Sequence, residues 1–119
     1  MNVATPIRDL TTRVLEGKVS LVTGSTSGIG LGIARALAAQ GSSIVLNGFG
    51  KADEIAATTR QVIADYQVRA FHSPADMSQP ESIAQMIAAT LDSYGRLDIL
   101  VNNVGIQHVA PIQDFPTAK

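Results

Sequence analysis

Seven residues, Gly24-Ser25-Thr26-Ser27-Gly28-Ile29-Gly30, bring glycines and hydroxyls together in a G-x-x-x-G-x-G spacing that could hold an anion. They stand between a β-branched run, Val19-Ser20-Leu21-Val22-Thr23, and a helical pattern running from Gly28 to Gln40. That pattern places Ile29, Ile33, Ala36 and Leu37 on one expected stripe and ends at Gly41, a left-handed stop. A turn from strand into helix aims backbone N–H groups and the positive end of the helix dipole at one spot, which suits a pyrophosphate. One glycine permits the reversal, one lets a phosphate approach the backbone, and one lets the helix lie against the sheet. Ser25, Thr26 and Ser27 are expected to add hydroxyl donors. The same residues also suit a glycine turn that only packs a helix on a strand, so further features must separate the two readings.

Composition removes most competing chemistries. Nine Lys+Arg against ten Asp+Glu leave a net charge of -1, without the basic excess that nucleic acid requires, so no nucleic-acid partner is expected. The absence of cysteine excludes disulfides, thiolate-bound zinc and cysteine nucleophiles, and it fits a reducing, cytoplasmic setting. Neither His72 nor His108 has a partner at metal-ligand spacing, so no metal site is expected. A content of 45% hydrophobic and 16% charged residues predicts a folded chain. Every apolar run is broken well short of the roughly 20 residues that a membrane-spanning helix needs, so no membrane partner is expected either. Met1 to Lys18 mixes Arg8, Arg13 and Lys18 with Asp9 and Glu16 and lacks the apolar centre of a secretory signal. Residues 1–17 are therefore expected to be an N-terminal extension, and 18–119 the domain.

The elements that must position the turn alternate regularly. Ser43-Ile44-Val45-Leu46-Asn47 is a second strand, closed by Gly48-Phe49-Gly50. Asp53 and Glu54 favour a helix start, followed by a stripe of Ile55, Val62, Ile63 and Tyr66. Val68 to His72 is a third strand. Ser78-Gln79-Pro80-Glu81 predicts a capping box that opens a helix with Ile83, Met86, Ile87, Leu91 and Tyr94 inward, ending at Gly95. Leu97 to Val101 is a fourth strand, before Asn102-Asn103-Val104-Gly105, and Ile106 to Lys119 reads as loop. Strands joined by helices of this length imply right-handed crossovers and a parallel sheet. The expected fold is α/β, a Rossmann-type doubly wound parallel sheet in the order 3-2-1-4 that stops after the fourth strand. Leu97, Ile99, Leu100 and Val101 look like a central strand covered on both faces, so the chain is expected to be the N-terminal part of a larger domain.

Thr23 to Gly30, followed at the end of the fourth strand by Asn102-Asn103-Val104-Gly105, resembles the short-chain dehydrogenase/reductase family, whose signatures are T-G-x-x-x-G-I-G and N-N-A-G. The resemblance covers Gly17 to Pro116. Asn47 to Gly50, Pro74-Ala75-Asp76-Met77 and Gly105 to Pro111 look most like the bacterial members that act on 3-hydroxybutyrate. The resemblance implies a cofactor site made of Gly24, Ser25, Thr26, Ser27, Gly28, Ile29, Gly30, Phe49, Asp76, Met77, Asn103, Val104 and Gly105. In it Asp76 would accept the adenine amino hydrogens, Phe49 would stack beside the adenosine, and Asn103 and Gly105 would approach the nicotinamide ribose. Asn102 is expected to tie neighbouring strands together. Val104 departs from the family's alanine and adds bulk beside the cofactor path. Gln107 would donate its amide hydrogens to a substrate carboxylate, although the residue alone reads equally well as a loop glutamine; His72 and His108 read as packing or solvent-facing residues.

A carboxylate usually ends the second strand when the cofactor is NAD, where it binds the ribose 2′-hydroxyl. Asn47, Gly48 and Phe49 stand there instead, and Lys51 is the one nearby cation for a 2′-phosphate, so NAD is expected over NADP. Family members remove the hydroxyl proton with a tyrosine assisted by a lysine four residues on, and orient the substrate with a serine. Tyr66 and Tyr94 are followed at that spacing by Ala70 and Asp98, so no catalytic residue is expected among these 119 residues. The resemblance thus implies NAD-dependent oxidation of a small 3-hydroxy acid, with this chain supplying the cofactor-binding part and the full-length form a homotetramer. The alternatives are a non-catalytic dinucleotide-binding module and an inactive remnant.

Overall fold

The computed structural model describes residues 13–103. The elements are β1 (Val19–Val22), α1 (Gly28–Ala39), β2 (Ser43–Asn47), α2 (Ala52–Tyr66), β3 (Ala70–Ser73), α3 (Pro80–Tyr94) and β4 (Ile99–Val101). The four strands form one parallel sheet in the order β3-β2-β1-β4, as expected. Val19 stands opposite Ser43, Ile44 opposite Ala70, and Ser20 opposite Ile99. This register brings the C-terminal ends of β1, β2 and β3 level, and the connections that follow them share one edge of the sheet.

Successive side chains leave a strand on opposite faces, which divides the core in two. Val22, Ile44 and Leu46 face α1 and α2, where they pack with Ala34, Ala38 and Val62. Leu21 and Val45 face α3, where Met86 and Ala75 cover them. Full burial of each large side chain contributes about 1.5–3 kcal/mol, so the central strands β1 and β2 carry most of the apolar stabilisation.

Several local expectations need correction. The buried face of α1 is Gly30, Ala34 and Ala38, with Leu31, Ile33 and Leu37 flanking it; Ile29 is 77% exposed and Ala36 is exposed as well. The helix lies so close to the sheet that small residues face inward, and the larger apolar ones take the sides. Ser78 does not cap α3. Gln79 holds the cap position and Pro80 the first turn, while the Ser78 hydroxyl donates to the Asp76 carboxylate at 2.7 Å, a stronger acceptor than any uncharged neighbour. β3 begins at Ala70 and β4 at Ile99, each two residues later than expected. Leu100, expected to be covered on both faces, is exposed because β4 is the outermost described strand, and Leu91 of the α3 stripe and Ile63 of the α2 stripe lie at the solvent margin of their helices.

Residues 13–17 fold against the sheet's opposite edge. The Arg13 guanidinium donates to the carbonyls of Tyr66 (2.8 Å) and Gln67 (3.3 Å) at the end of α2, and the Leu15 amide donates to Gln40. Gly41 takes φ 99° beside the Arg13 side chain and closes α1 as a left-handed residue.

Candidate dinucleotide site

The glycine turn is shaped by backbone conformations and one close approach. Gly24 (φ 59°) and Gly28 (φ 61°) are left-handed, a region that costs L-residues about 1–2 kcal/mol. A Cβ built on Gly30 would overlap the Gly24 carbonyl oxygen and stand 2.8 Å from the Asn103 amide nitrogen. A Cβ on Gly28, by contrast, would meet nothing within 4 Å. The turn is therefore packed on its inner side and open on its outer side. The first-turn N–H groups of α1 have no intrahelical acceptor.

Behind the turn, a buried network fixes its position. The Ser25 amide donates to the Asn47 carbonyl at 2.6 Å, the Asn47 amide donates to the Ser25 hydroxyl at 2.9 Å, and that hydroxyl donates to the Val22 carbonyl at 2.7 Å. Asn47 then reaches three ways with its side chain. Its Oδ1 accepts from the Gly24 amide at 3.3 Å, and its Nδ2 donates to the carbonyls of Ser73 (3.2 Å) and Ala75 (3.0 Å). Just past β4 the Asn103 side-chain amide donates to the Gly24 carbonyl at 3.1 Å, and the Thr23 hydroxyl reaches Asn102 Oδ1 at 3.2 Å, tying the end of β1 to the segment after β4. Two of the three expected hydroxyl donors are thus committed inside the protein. Ser25 holds the turn to β1 and β2, and Thr26 donates to the Phe49 carbonyl at 3.2 Å. Ser27 alone stays exposed, its hydroxyl making no capping bond.

These elements enclose a cavity of about 550 Å³ at the C-terminal ends of β1, β2 and β3. Gly24, Thr26 and Ser27 form one wall, Gly48 and Phe49 a second, and Ala75, Asp76, Met77 and Ser78 a third, with Asn47 at the base. Phe49 is 68% exposed and presents its ring without being packed into the core. The Asp76 carboxylate accepts from the Ser78 hydroxyl and, at 2.9 Å, from the Ser78 amide; these bonds, the hydroxyl first, hold its pKa below the usual carboxylate value, and it is anionic at neutral pH. Lys51 and Glu54 both line a smaller groove with Thr26, Ser27 and Phe49, and Arg60 lines a further groove that shares Phe49.

The structure therefore brings Gly24, Thr26, Ser27, Phe49, Asp76 and Met77 to one cavity, while Gly28 and Ile29, next in the chain, are exposed and do not line it, and Ser25, Gly30 and Asn103 support the turn from within. Val104, Gly105 and Gln107 lie outside the described residues. Asn47 is the supporting residue that the pattern alone does not single out. Its signal is a lone amide closing the apolar run Ile44-Val45-Leu46, and a buried amide needs partners.

The sequence that builds this turn and sheet matches a known family. Residues 18–119 match the family described as short chain dehydrogenase. The chain belongs to that family. It is 54% identical over 102 residues to D-beta-hydroxybutyrate dehydrogenase of Rhizobium meliloti, covering 86% of this chain and 40% of that protein. It is 55% identical over 106 residues to the protein of the same name from Cupriavidus necator, covering 89% and 40%. Among solved structures, L-sorbose reductase of Gluconobacter frateurii, complexed with NADPH and L-sorbose, superposes with a TM-score of 0.70 at 36% identity, over 76% of this chain and 34% of that one. A metagenomic short-chain oxidoreductase in complex with NADP gives 0.65 at 33%, over 73% and 38%. The chain spans about 40% of the length of the curated relatives it matches.

The two described tyrosines of the chain sit away from the cavity, at the other edge of the sheet. Tyr94 packs near the start of β2 with its hydroxyl 3.4 Å from the Ile44 carbonyl, and burial raises its pKa. Tyr66, at the end of α2, has its hydroxyl bonded by Arg35 at 3.3 Å. Among the described residues no helix is long and apolar enough to cross a membrane.

Proposed function

We propose that these residues form the dinucleotide-binding part of an NAD-dependent dehydrogenase that oxidises D-3-hydroxybutyrate to acetoacetate. The observation that carries the reading is the convergence of the open glycine turn, Phe49 and anionic Asp76 on one cavity. The residues present fit a dinucleotide. The first-turn amides of α1 and the Ser27 hydroxyl would receive the pyrophosphate, Asp76 would accept the adenine amino hydrogens, and Phe49 would lie against the adenosine. When bound, NAD supplies the acceptor for the hydride that leaves the alcohol carbon. The protein's own task here is to hold the adenosine and pyrophosphate so that the reacting end is presented in one orientation.

NAD is favoured over NADP because no Lys or Arg stands among the described residues that line the cavity, and Lys51 shares its separate groove with Glu54. The choice of 3-hydroxybutyrate rests on the 54–55% identity to the two hydroxybutyrate dehydrogenases, and on Gln107 as donor to the substrate carboxylate. No Tyr-x-x-x-Lys occurs in these 119 residues, and both described tyrosines are at the wrong edge of the sheet. The described residues at the cavity offer binding groups only, and a dinucleotide-binding module without chemistry of its own is the second reading.

Titration of the protein made from its own gene with NAD and NADP, alongside an assay for NADH formation on D-3-hydroxybutyrate, tests both readings. Tighter binding of NAD with turnover supports the dehydrogenase. Binding without turnover on any 3-hydroxy acid leaves the module, and equal or reversed affinities overturn the cofactor choice.

A further inference from the structure

His72 lies outside the dinucleotide cavity, yet its ring reaches the segment that forms one of the cavity walls. Its Nε2 is 2.7 Å from the Gly48 carbonyl oxygen. A carbonyl only accepts, so Nε2 carries the hydrogen. From the other side of the same segment, the Thr26 hydroxyl donates to the Phe49 carbonyl at 3.2 Å. Phe49 is thus held between two side-chain donors, one from β3 and one from the glycine turn.

The segment has little stiffness of its own. Gly48 (φ 150°) and Gly50 (φ 156°) flank Phe49, and glycine at such angles is the least restrained of residues. Packing does not hold Phe49 either, since 68% of it is exposed. The segment also separates two spaces. On one side is the cavity with Asp76; on the other is a groove of about 640 Å³, lined by His72, Arg60, Ile55 and Pro74 as well as by Phe49. Where the segment rests decides how that volume is divided. A role for His72 in strand pairing alone does not account for the bond, because the β2–β3 ladder already pairs Leu46 with His72 and Asn47 with Ser73. The imidazole reaches beyond the ladder to the first residue after β2.

We infer that His72 is a positioning residue: through the Gly48 carbonyl it fixes Phe49 as a wall of the dinucleotide cavity and so sets the affinity for the adenosine half of the cofactor. This inference rests on the functional reading above. Losing one net hydrogen bond corresponds to an effect of about 3- to 10-fold.

The test uses the protein made from its own gene, with His72→Phe removing the donor and His72→Gln restoring an amide nitrogen at the same reach. In His72→Phe, KM for NAD and Kd for ADP-ribose should rise by about 3- to 10-fold, with kcat held within about two-fold. Nicotinamide mononucleotide binding should be unchanged, and amide exchange at Phe49 and Gly50 should quicken. His72→Gln should recover most of the affinity. Unchanged ADP-ribose affinity and exchange in His72→Phe would overturn the inference, as would an equal loss for ADP-ribose and nicotinamide mononucleotide, which marks general damage. Should His72→Phe not fold, Thr26→Val breaks the other arm of the clamp. Faster exchange at Phe49 with weaker ADP-ribose binding then supports the clamp, and neither change overturns it. A wild-type protein that binds no dinucleotide defeats the functional reading, whereas normal wild-type binding with an indifferent His72→Phe defeats only the clamp.

Discussion

The two edges of the sheet are both closed by side-chain hydrogen bonds, yet they use different chemistry. At the C-terminal edge the contacts are mostly neutral: Asn47, Ser25, Thr26, Asn103 and His72 bond backbone groups at the strand ends and in the loops that follow them. At the N-terminal edge the contacts are charged. Arg96 forks onto Asp98 with two bonds of 2.8 Å, Arg13 covers the last carbonyls of α2, and the Arg69 guanidinium stacks 4.5 Å from the Tyr94 ring centroid. Neutral bonds to backbone fix loop shape without filling the space in front of it. Long charged side chains lie across the surface and cover it. The contrast explains why the cavity opens at one edge while both described tyrosines are packed away at the other.

The strongest way to break that contrast is Gly30→Ala. Its methyl would overlap the Gly24 carbonyl, a backbone atom that cannot move without disturbing the turn. A loss of about 3 kcal/mol or more in a denaturant melt is expected, with dinucleotide binding abolished. Retained stability would mean that the turn is not built on this approach. Asn47→Leu comes next, because it leaves the Gly24 amide and the carbonyls of Ser73 and Ala75 without their partner. Chemical denaturation should record a loss of about 3 kcal/mol, and calorimetric titration a weaker affinity for NAD.

Two smaller changes sharpen the comparison. Gly32 is on the solvent side of α1, where a Cβ would meet nothing within 4 Å. Gly32→Ala should therefore stabilise the protein by about 0.5–1 kcal/mol, the opposite sign from Gly30→Ala two residues earlier in the same helix. At the far edge, Asp98 is held below its ordinary pKa of 3.8, first by the Arg96 hydrogen bond and then by the Val19 amide. A depressed carboxylate stabilises the fold above its ordinary pKa, and that contribution is lost as the pH falls through its folded value. Asp98→Asn should thus lower Tm slightly at pH 7, by an amount that shrinks below pH 3.8, and leave NAD affinity untouched. A change in NAD affinity would show that the two edges are coupled.

Much of this molecule is legible along the chain, because its signals are local. The β-branched runs, Gly41 and Gly95 as helix stops, and the acidic first turn of α2 depend on residues close in sequence, and each lies where the pattern puts it, apart from the two-residue late starts of β3 and β4. Local rules fail where a distant neighbour intervenes. Ile29 has the hydropathy of a core residue, but the approach of α1 to the Gly24 carbonyl brings Gly30, Ala34 and Ala38 inward and turns Ile29 out. Ser78 has the spacing of a cap, but the Asp76 carboxylate two residues earlier takes its hydroxyl.

The site divides in the same way. The glycine turn, Phe49 and Asp76 are recognisable by residue type and by their place after a strand. Asn47 and His72 are not, since the backbone groups they bond lie 23 to 28 residues away. What the amino-acid order determined by itself is the succession of strands and helices, the parallel arrangement and the chemistry offered at each strand end. Those follow from steric preference, periodicity and crossover handedness, which act over short stretches of chain. Only the tertiary structure decided which of the three serine and threonine hydroxyls of the glycine turn faces outward, which face of α1 is buried, and where Phe49 stands. Each of those depends on a hydrogen bond or a close approach between segments that meet only when the sheet assembles.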